Sequence, residues 1–157
     1  MQLWRLCRRA FAKEPLNGEG GLYASARWHT FPRPVVYASH SLSLACLEVL
    51  VHLDPELMPP DFVAIEIDVP SNVTIKEIEV AALPKSWRRY PAPRTLQSLG
   101  NAWLTERSSA VLRVPSVVVP TEQNYLINPL HPDARRITVV SKSRFSFDPR
   151  LLVHRQA

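Results

Sequence analysis

The stretch FVAIEIDV, residues 62–69, alternates without a break: Val63, Ile65, Ile67 and Val69 fall on one side, Glu66 and Asp68 on the other. A period of two marks a β-strand with one face packed and one face exposed. Working outward from it, extended segments recur. QLWRLCR (2–8) alternates well enough for a first strand, VVYAS (35–39) is short, β-branched and aromatic, and VLRVP (111–115), YLI (125–127) and ITVV (137–140) add more. Residues 73–80 look extended too, but their apolar phase slips between Ile75 and Ile78, which predicts a bulge or turn. Two segments are helical in character. One is 39–53; the other is 94–107, with Leu96, Leu99 and Trp103 at helical spacing. Strands outnumber helices and the two do not alternate along the chain. The expected fold is therefore α+β, a single domain over residues 1–157 with a mixed sheet, rather than a parallel βαβ arrangement.

A chain of 157 residues suits one domain with its own core. No run of 18 apolar residues exists, so no transmembrane helix is expected. The N-terminal MQLWRLCRRAF places arginines where a signal peptide needs an unbroken apolar run. Cys7 and Cys46 are far apart and form no CxxC pair, so a reduced, cytoplasmic protein is the simplest reading. Fifteen prolines against four glycines argue against long helices. The net charge of +5 invites an acidic partner or nucleic acid. The basic residues are scattered, however, with Arg8-Arg9, Arg88-Arg89 and Arg135-Arg136 as the densest pairs and no accompanying aromatic RNA motif. Direct nucleic-acid binding is not expected; a solvated basic surface, an acidic substrate and an acidic protein partner all fit.

The segment SHSLSLACLEVLVHL (39–53) opens on serines able to cap a helix and stops before Pro55. It is apolar almost all round, which predicts a buried helix. Ser41, Glu48 and His52, spaced by seven and four, form one narrow polar stripe that either touches solvent or lines a cavity. A carboxylate in such a helix needs water or a partner, and Glu48 can find the latter in Arg27. A second anomaly is VLRVPSVVVP (111–120), where Ser116 interrupts a valine-rich run directly after Pro115. Proline donates no ladder hydrogen bond, so pairing there is interrupted or confined to an edge, and Ser116 sits where the strand opens.

Several chemistries are excluded by spacing. NGEGG (17–21) opens no helix and lacks both GxGxxG and a P-loop lysine, so it is a turn. The five histidines show no ligand spacing, so no metal site is expected. VPSVV is no nucleophile elbow, and no histidine is placed to activate Ser116. Arg27, Tyr37 and Asn128 each have a plain structural reading: a surface arginine on Trp28, a core tyrosine, and a turn before Pro129.

As an ordered set they say more. An arginine in ARWH, a tyrosine in VVYAS, a glutamate in ACLEVLVH, a serine in VLRVPS and then NYLINPLHP resemble the RES-domain family, named for its arginine, glutamate and serine. The resemblance runs from about Trp4 to Ile137. It departs at SARWH, where GGRWN is frequent; here GG stands earlier, at Gly20 and Gly21. The resemblance implies an ADP-ribosyltransferase-like fold and a bacterial toxin that degrades NAD⁺, releasing nicotinamide, with phosphate or water as acceptor. It also implies an Xre-like antitoxin that blocks the active site and carries any DNA contact. NAD⁺ is then the substrate, and no cofactor is implied. Carried over residue by residue, Glu48 stabilises the oxocarbenium-like ribose or holds its hydroxyls, and Arg27 clamps phosphate, with Arg5 as the alternative. Tyr37 stacks on nicotinamide, while Ser39 and Asn128 contribute to binding. Ser116 holds a ribose hydroxyl, a phosphate oxygen or the Glu48 carboxylate. Two rival readings stay open: ADP-ribosyl transfer to a macromolecule, and a basic binding module without enzymatic activity.

Overall fold

The structure is a computed structural model that describes residues 1–53 and 61–151. Its strands are β1 (Gln2–Arg8), β2 (Val36–Ser39), β3 (Phe62–Asp68), β4 (Ile75–Glu77), β5 (Val111–Pro115), β6 (Gln123–Ile127) and β7 (Thr138–Phe145). Two α-helices, α1 (Leu42–Leu50) and α2 (Arg94–Glu106), join them. The strands form one seven-stranded sheet in the order β4-β5-β6-β2-β1-β3-β7. Every pairing is antiparallel except β4 with β5, which makes the sheet mixed and the class α+β.

Side-chain alternation divides the sheet into two faces. On one face Leu3, Val36, Ala38, Ile65, Ile67, Val111 and Ile127 form a continuous core from edge to edge. The opposite face is covered in two pieces. Helix α2 lies over Leu112, Val114 and Leu126 through Leu96, Trp103 and Leu104. Helix α1 lies over Leu6 and Ala64 through Ala45, with Phe147 closing the end against Phe62. Between the two helices the sheet is bare. There β1 and β2 meet at a single register pair, Trp4 with Ser39, so the two halves of the sheet splay apart.

The strict alternation of 62–69 is therefore half the story of β3. Ile65, Ile67 and Val69 enter the shared core with Val63 partly buried beside them, but Phe62 and Ala64 on the second face are buried as well, beneath α1, and on that face Glu66 and Asp68 reach solvent. Helix α1 corrects the expectation of all-round burial. It buries Leu44 and Ala45 while Ser43 and Leu47 face out, because it packs on one layer only. Pro55, the expected stop, lies outside the described residues; α1 ends at Leu50. In α2 the buried stripe is Leu96, Gly100, Trp103 and Leu104, and Leu99 is turned outward. The phase slip between Ile75 and Ile78 falls where β4 ends, and Ile78 donates its N–H to the Arg113 carbonyl.

Candidate active site

The bare strip between the helices is the floor of a cleft of about 1160 Å³. That is large for a small-molecule site, which typically spans roughly 300–1,000 Å³. Trp4, Arg5, Arg27, Tyr37, Ser39 and Glu48 all line it, as does His52. Among its described lining residues, Arg5, Arg27 and Arg88 face one carboxylate, Glu48, so the cleft favours an anionic ligand.

Glu48 projects from α1 toward the β5–β6 hairpin. Its Oε1 accepts from the Ser116 hydroxyl at 2.7 Å and from Asn124 Nδ2 at 2.5 Å. Neither donor has freedom to do otherwise. Ser116 Oγ already accepts from the backbone N–H groups of Val118 (3.1 Å) and Val119 (3.0 Å), so its proton is what remains for Glu48. Asn124 is oriented by Ser39, whose hydroxyl donates to Asn124 Oδ1 at 2.7 Å and so turns the amide nitrogen toward Glu48. Among the described residues Glu48 Oε2 takes no hydrogen bond, and it is not a buried orphan, so it opens onto the cleft. The polar stripe thus divides: Glu48 and His52 line the cleft, whereas Ser41 caps α1 by accepting from the Leu44 N–H.

The strand that opened the Ser116 question ends where expected. Its parallel neighbour β4 stops opposite Arg113, so Pro115 has β6 alone beside it, and the Ser116 N–H then closes the hairpin on the Glu122 carbonyl. Ser116 is fully buried and fully engaged. Of the partners foreseen for it, the Glu48 carboxylate is the one it meets. Its side-chain bonds are all made inside the protein, and it is not among the residues that line the cleft.

Arg27 stands on a tight turn in which the Ala26 N–H bonds the His29 carbonyl. Helix α2 fixes this turn from outside. Gln97 Nε2 donates to the Ala26 carbonyl, Asn101 bonds both the Thr30 N–H and hydroxyl, and a Cβ at Gly100 would run into the Trp28 carbonyl oxygen. Only a glycine permits so close an approach. Arg27 Nη1 donates to the carbonyls of Trp87 (2.7 Å) and Arg89 (3.2 Å), which pins the segment around Trp87 across the cleft. No ion pair joins Arg27 to Glu48 among the described residues. Burial lowers the Arg27 pKa, and the charges of Glu48 and Tyr37 oppose that shift. Arg5 points from the Leu3 and Cys7 side of β1 and reaches the gap between β1 and β2, where Nη1 donates to the Tyr37 carbonyl at 3.1 Å. It occupies the place of the missing ladder bonds.

Tyr37 lines the cleft, and its hydroxyl lies 2.9 Å from His29 Nδ1. Asn128 does not reach the site. It is buried beyond the far end of β6, where Nδ2 donates to the Leu104 carbonyl at 3.1 Å and Oδ1 accepts from the Leu130 N–H. The Leu104 carbonyl belongs to the last turn of α2, where the helix itself supplies no donor. Asn128 satisfies it, which is why an asparagine is there. The residue that sequence reasoning passed over is Asn124, in the same NYLIN stretch. Its signal was available, since alternation places it on the face of Leu126. His29, Gln97, Gly100 and Asn101 were passed over as well, and nothing in their spacing marks them.

Comparison with known proteins places this geometry. The RES domain family matches residues 2–148. A protein named Toxin Res from Pseudomonas putida is 40% identical over 153 residues, covering 96% of this chain and 99% of its own. A Prs ADP-ribosylating toxin from Sphingobium sp. is 39% identical over 154 residues, 95% of each chain. Among solved structures, the M. tuberculosis MbcT–MbcA toxin–antitoxin complex aligns with a TM-score of 0.77 at 14% identity, covering 96% of this chain and 86% of that one. With a family match along nearly its full length and relatives near 40% identity, the chain belongs to the RES-domain family, the family of these toxins.

Proposed function

We propose that this protein is a toxin that consumes NAD⁺ by cleaving the bond between nicotinamide and ribose. The observation that carries the reading is a carboxylate held on one oxygen by two committed donors, with its other oxygen open to a cleft lined by arginines. Breaking that bond builds positive charge on the sugar. A fixed carboxylate oxygen beside it stabilises the oxocarbenium-like state without reorganising at the moment of reaction. Glu48 Oε2 takes this role or holds the ribose hydroxyls. Arg27 spends Nη1 on two carbonyls and keeps Nη2 and Nε for the pyrophosphate. Tyr37 offers its ring to the nicotinamide, which leaves neutral and needs no general acid. Phosphate or water accepts the ADP-ribosyl group.

A second reading, transfer of ADP-ribose to a macromolecule, is favoured by the name of the Sphingobium relative. Incubating the protein with NAD⁺, with and without phosphate, separates them. Free nicotinamide with ADP-ribose-1″-phosphate or ADP-ribose supports the first, a modified protein or nucleic acid supports the second, and intact NAD⁺ throughout sinks both. As for partners, an antitoxin of Xre type covering the cleft follows from the toxin reading, and the net charge of +5 suits an acidic contact surface. Expression of this chain alone should arrest bacterial growth and lower cellular NAD⁺. Harmless accumulation of soluble, folded protein at normal NAD⁺ would overturn the toxin assignment.

A further inference from the structure

Among the described aromatic residues of the cleft, Tyr37 is the one whose polar end is tied down from behind by a side chain, and the residue that ties it has no place in the proposed chemistry. His29 is 2% exposed, does not line the cleft, and puts Nδ1 2.9 Å from the Tyr37 hydroxyl. The two rings stand 5.6 Å apart and tilted by 47°. Burial lowers the His29 pKa, the nearby carbonyls of Ala24 and Gly21 oppose this, and Arg33 adds to it. Burial likewise raises the Tyr37 pKa far above the ordinary phenol range, against smaller opposing effects of the Trp28 backbone and Arg27. A neutral imidazole has one donor and one acceptor nitrogen. Nε2 is buried without a hydrogen-bond partner among the described residues, and a Cβ at Gly21 would stand 3.2 Å from it. The Trp28 backbone acts on the Tyr37 oxygen, and among the described residues nothing other than His29 is in place to take the phenol proton, so Nδ1 accepts it.

We infer that His29 is a positioning residue: by accepting the Tyr37 proton it fixes the ring across the cleft floor and leaves Tyr37 to act through its face rather than as an acid. The inference rests on the reading that Tyr37 lies against the departing ring. Orientation of a group in the cleft is worth rate because misplaced groups lose proximity, and the loss grows with small displacements.

The test compares two near-isosteric replacements. His29→Asn keeps an acceptor near the Nδ1 position, whereas His29→Leu has the same branching and none. Both leave the same void beside Gly21, and the buried amide is the costlier of the two, so His29→Leu should melt no lower than His29→Asn. The expected result is kcat/KM for NAD⁺ reduced about tenfold in His29→Leu (~1.4 kcal/mol) and within about threefold of wild type in His29→Asn (~0.7 kcal/mol). In a Tyr37→Phe background, which has no proton to give, the His29→Leu and His29→Asn chains should turn over alike. Equal rates for the two His29 variants with Tyr37 in place overturn the inference. So does a difference between them that persists in the Tyr37→Phe background. If the wild-type protein leaves NAD⁺ intact, the reading of the substrate fails; the same four chains are then ranked by growth arrest, and the same equalities decide on His29. A wild-type chain that neither cleaves NAD⁺ nor arrests growth overturns both.

Discussion

Strand β6 carries an asparagine near its start and another just past its end, about 13 Å apart along an extended chain. Asn124 bonds only other side chains, accepting from Ser39 and donating to Glu48, and it faces the cleft. Asn128 is buried, and its side chain bonds only backbone, the Leu104 carbonyl and the Leu130 N–H. One orients a carboxylate for a ligand; the other closes the end of a helix. The lesson is that residue type and burial do not separate a site from a scaffold. The partner does: bonds to a side chain that faces a cavity act on function, and bonds to buried backbone act on stability. Five substitutions sharpen or break this distinction.

The largest effect is expected at the centre of the site. Glu48→Gln keeps the shape, and its amide oxygen can still accept from Ser116 and Asn124, so the melting temperature should stay close to that of the wild type. The charge facing the cleft is lost. Removing one preorganised electrostatic contact from an active site typically costs about 10²–10³ in kcat, and NAD⁺ turnover should fall by that much. Turnover at the wild-type rate would make Glu48 a solvated helix residue and dissolve the site end of the comparison.

Next comes the same isosteric change made at both asparagines. Asn124→Asp replaces the donor to Glu48 by a second carboxylate, so kcat/KM should fall at least tenfold (~1.4 kcal/mol) while the half-buried, cleft-facing position tolerates the charge. Asn128→Asp places a carboxylate against the Leu104 carbonyl in the core. An uncompensated buried charge costs on the order of 3–5 kcal/mol, so the protein should melt far lower, yet the folded fraction should turn over normally. Thermal melts and active-site-normalised rates on both variants check this. If both lose activity without losing stability, or both the reverse, the partner rule fails here.

Much of this could be read from the sequence, and the reason is periodicity. Gln2–Arg8 shows itself because a period of two survives any tertiary arrangement, Val111–Pro115 because a short valine-rich run bounded by proline suits a buried strand, and the Glu48 anomaly shows because a carboxylate stands out in an apolar helix. What failed was anything depending on which side is covered. Leu47 and Leu99 are exposed although their apolar character and spacing predict burial, since each helix packs on one layer. The splay at the single Trp4–Ser39 register pair, which makes the cleft, leaves no mark in composition. Asn128 enters the sequence reading through the family resemblance, against a plain reading as a turn before Pro129, and the partner that singles out Asn124 lies across 76 residues of chain, at Glu48.

Arg27 extends the comparison to a cation. Its Nη1 binds two backbone carbonyls, a scaffold function, while the remaining guanidinium N–H groups make no hydrogen bond among the described residues and the side chain lines the cleft. Arg27→Lys can replace either function but not both, because an ammonium is a point charge on a flexible stem and lacks the planar fork. Affinity for NAD⁺ should weaken about tenfold (~1.4 kcal/mol), with a small drop in melting temperature as the Trp87 segment loosens. Unchanged affinity and turnover would move the phosphate contact to Arg5, which lines the same cleft.

Ser116 is the case that belongs to both sides, and its effects should be the smallest and the most evenly split. Its hydroxyl donates to Glu48 and accepts from the Val118 and Val119 N–H groups, so it is a site residue and a loop scaffold at once. In Ser116→Ala the two N–H groups lie in a half-buried hairpin loop where water can replace the oxygen, which limits the loss to about 1 kcal/mol of stability. Glu48 keeps its bond from Asn124, so the carboxylate is loosened rather than released, and kcat/KM should fall roughly three- to tenfold (~0.7–1.4 kcal/mol). The position after Pro115 is legible in the sequence, but the two donors that bend back to it are not. The two losses are also separable by rescue. Leaving Ser116→Ala in place and stiffening the loop elsewhere should recover the melting temperature without recovering the rate. If the rate returns with stability, Ser116 acts on Glu48 only by holding the hairpin, and the direct bond between the two side chains contributes nothing to turnover.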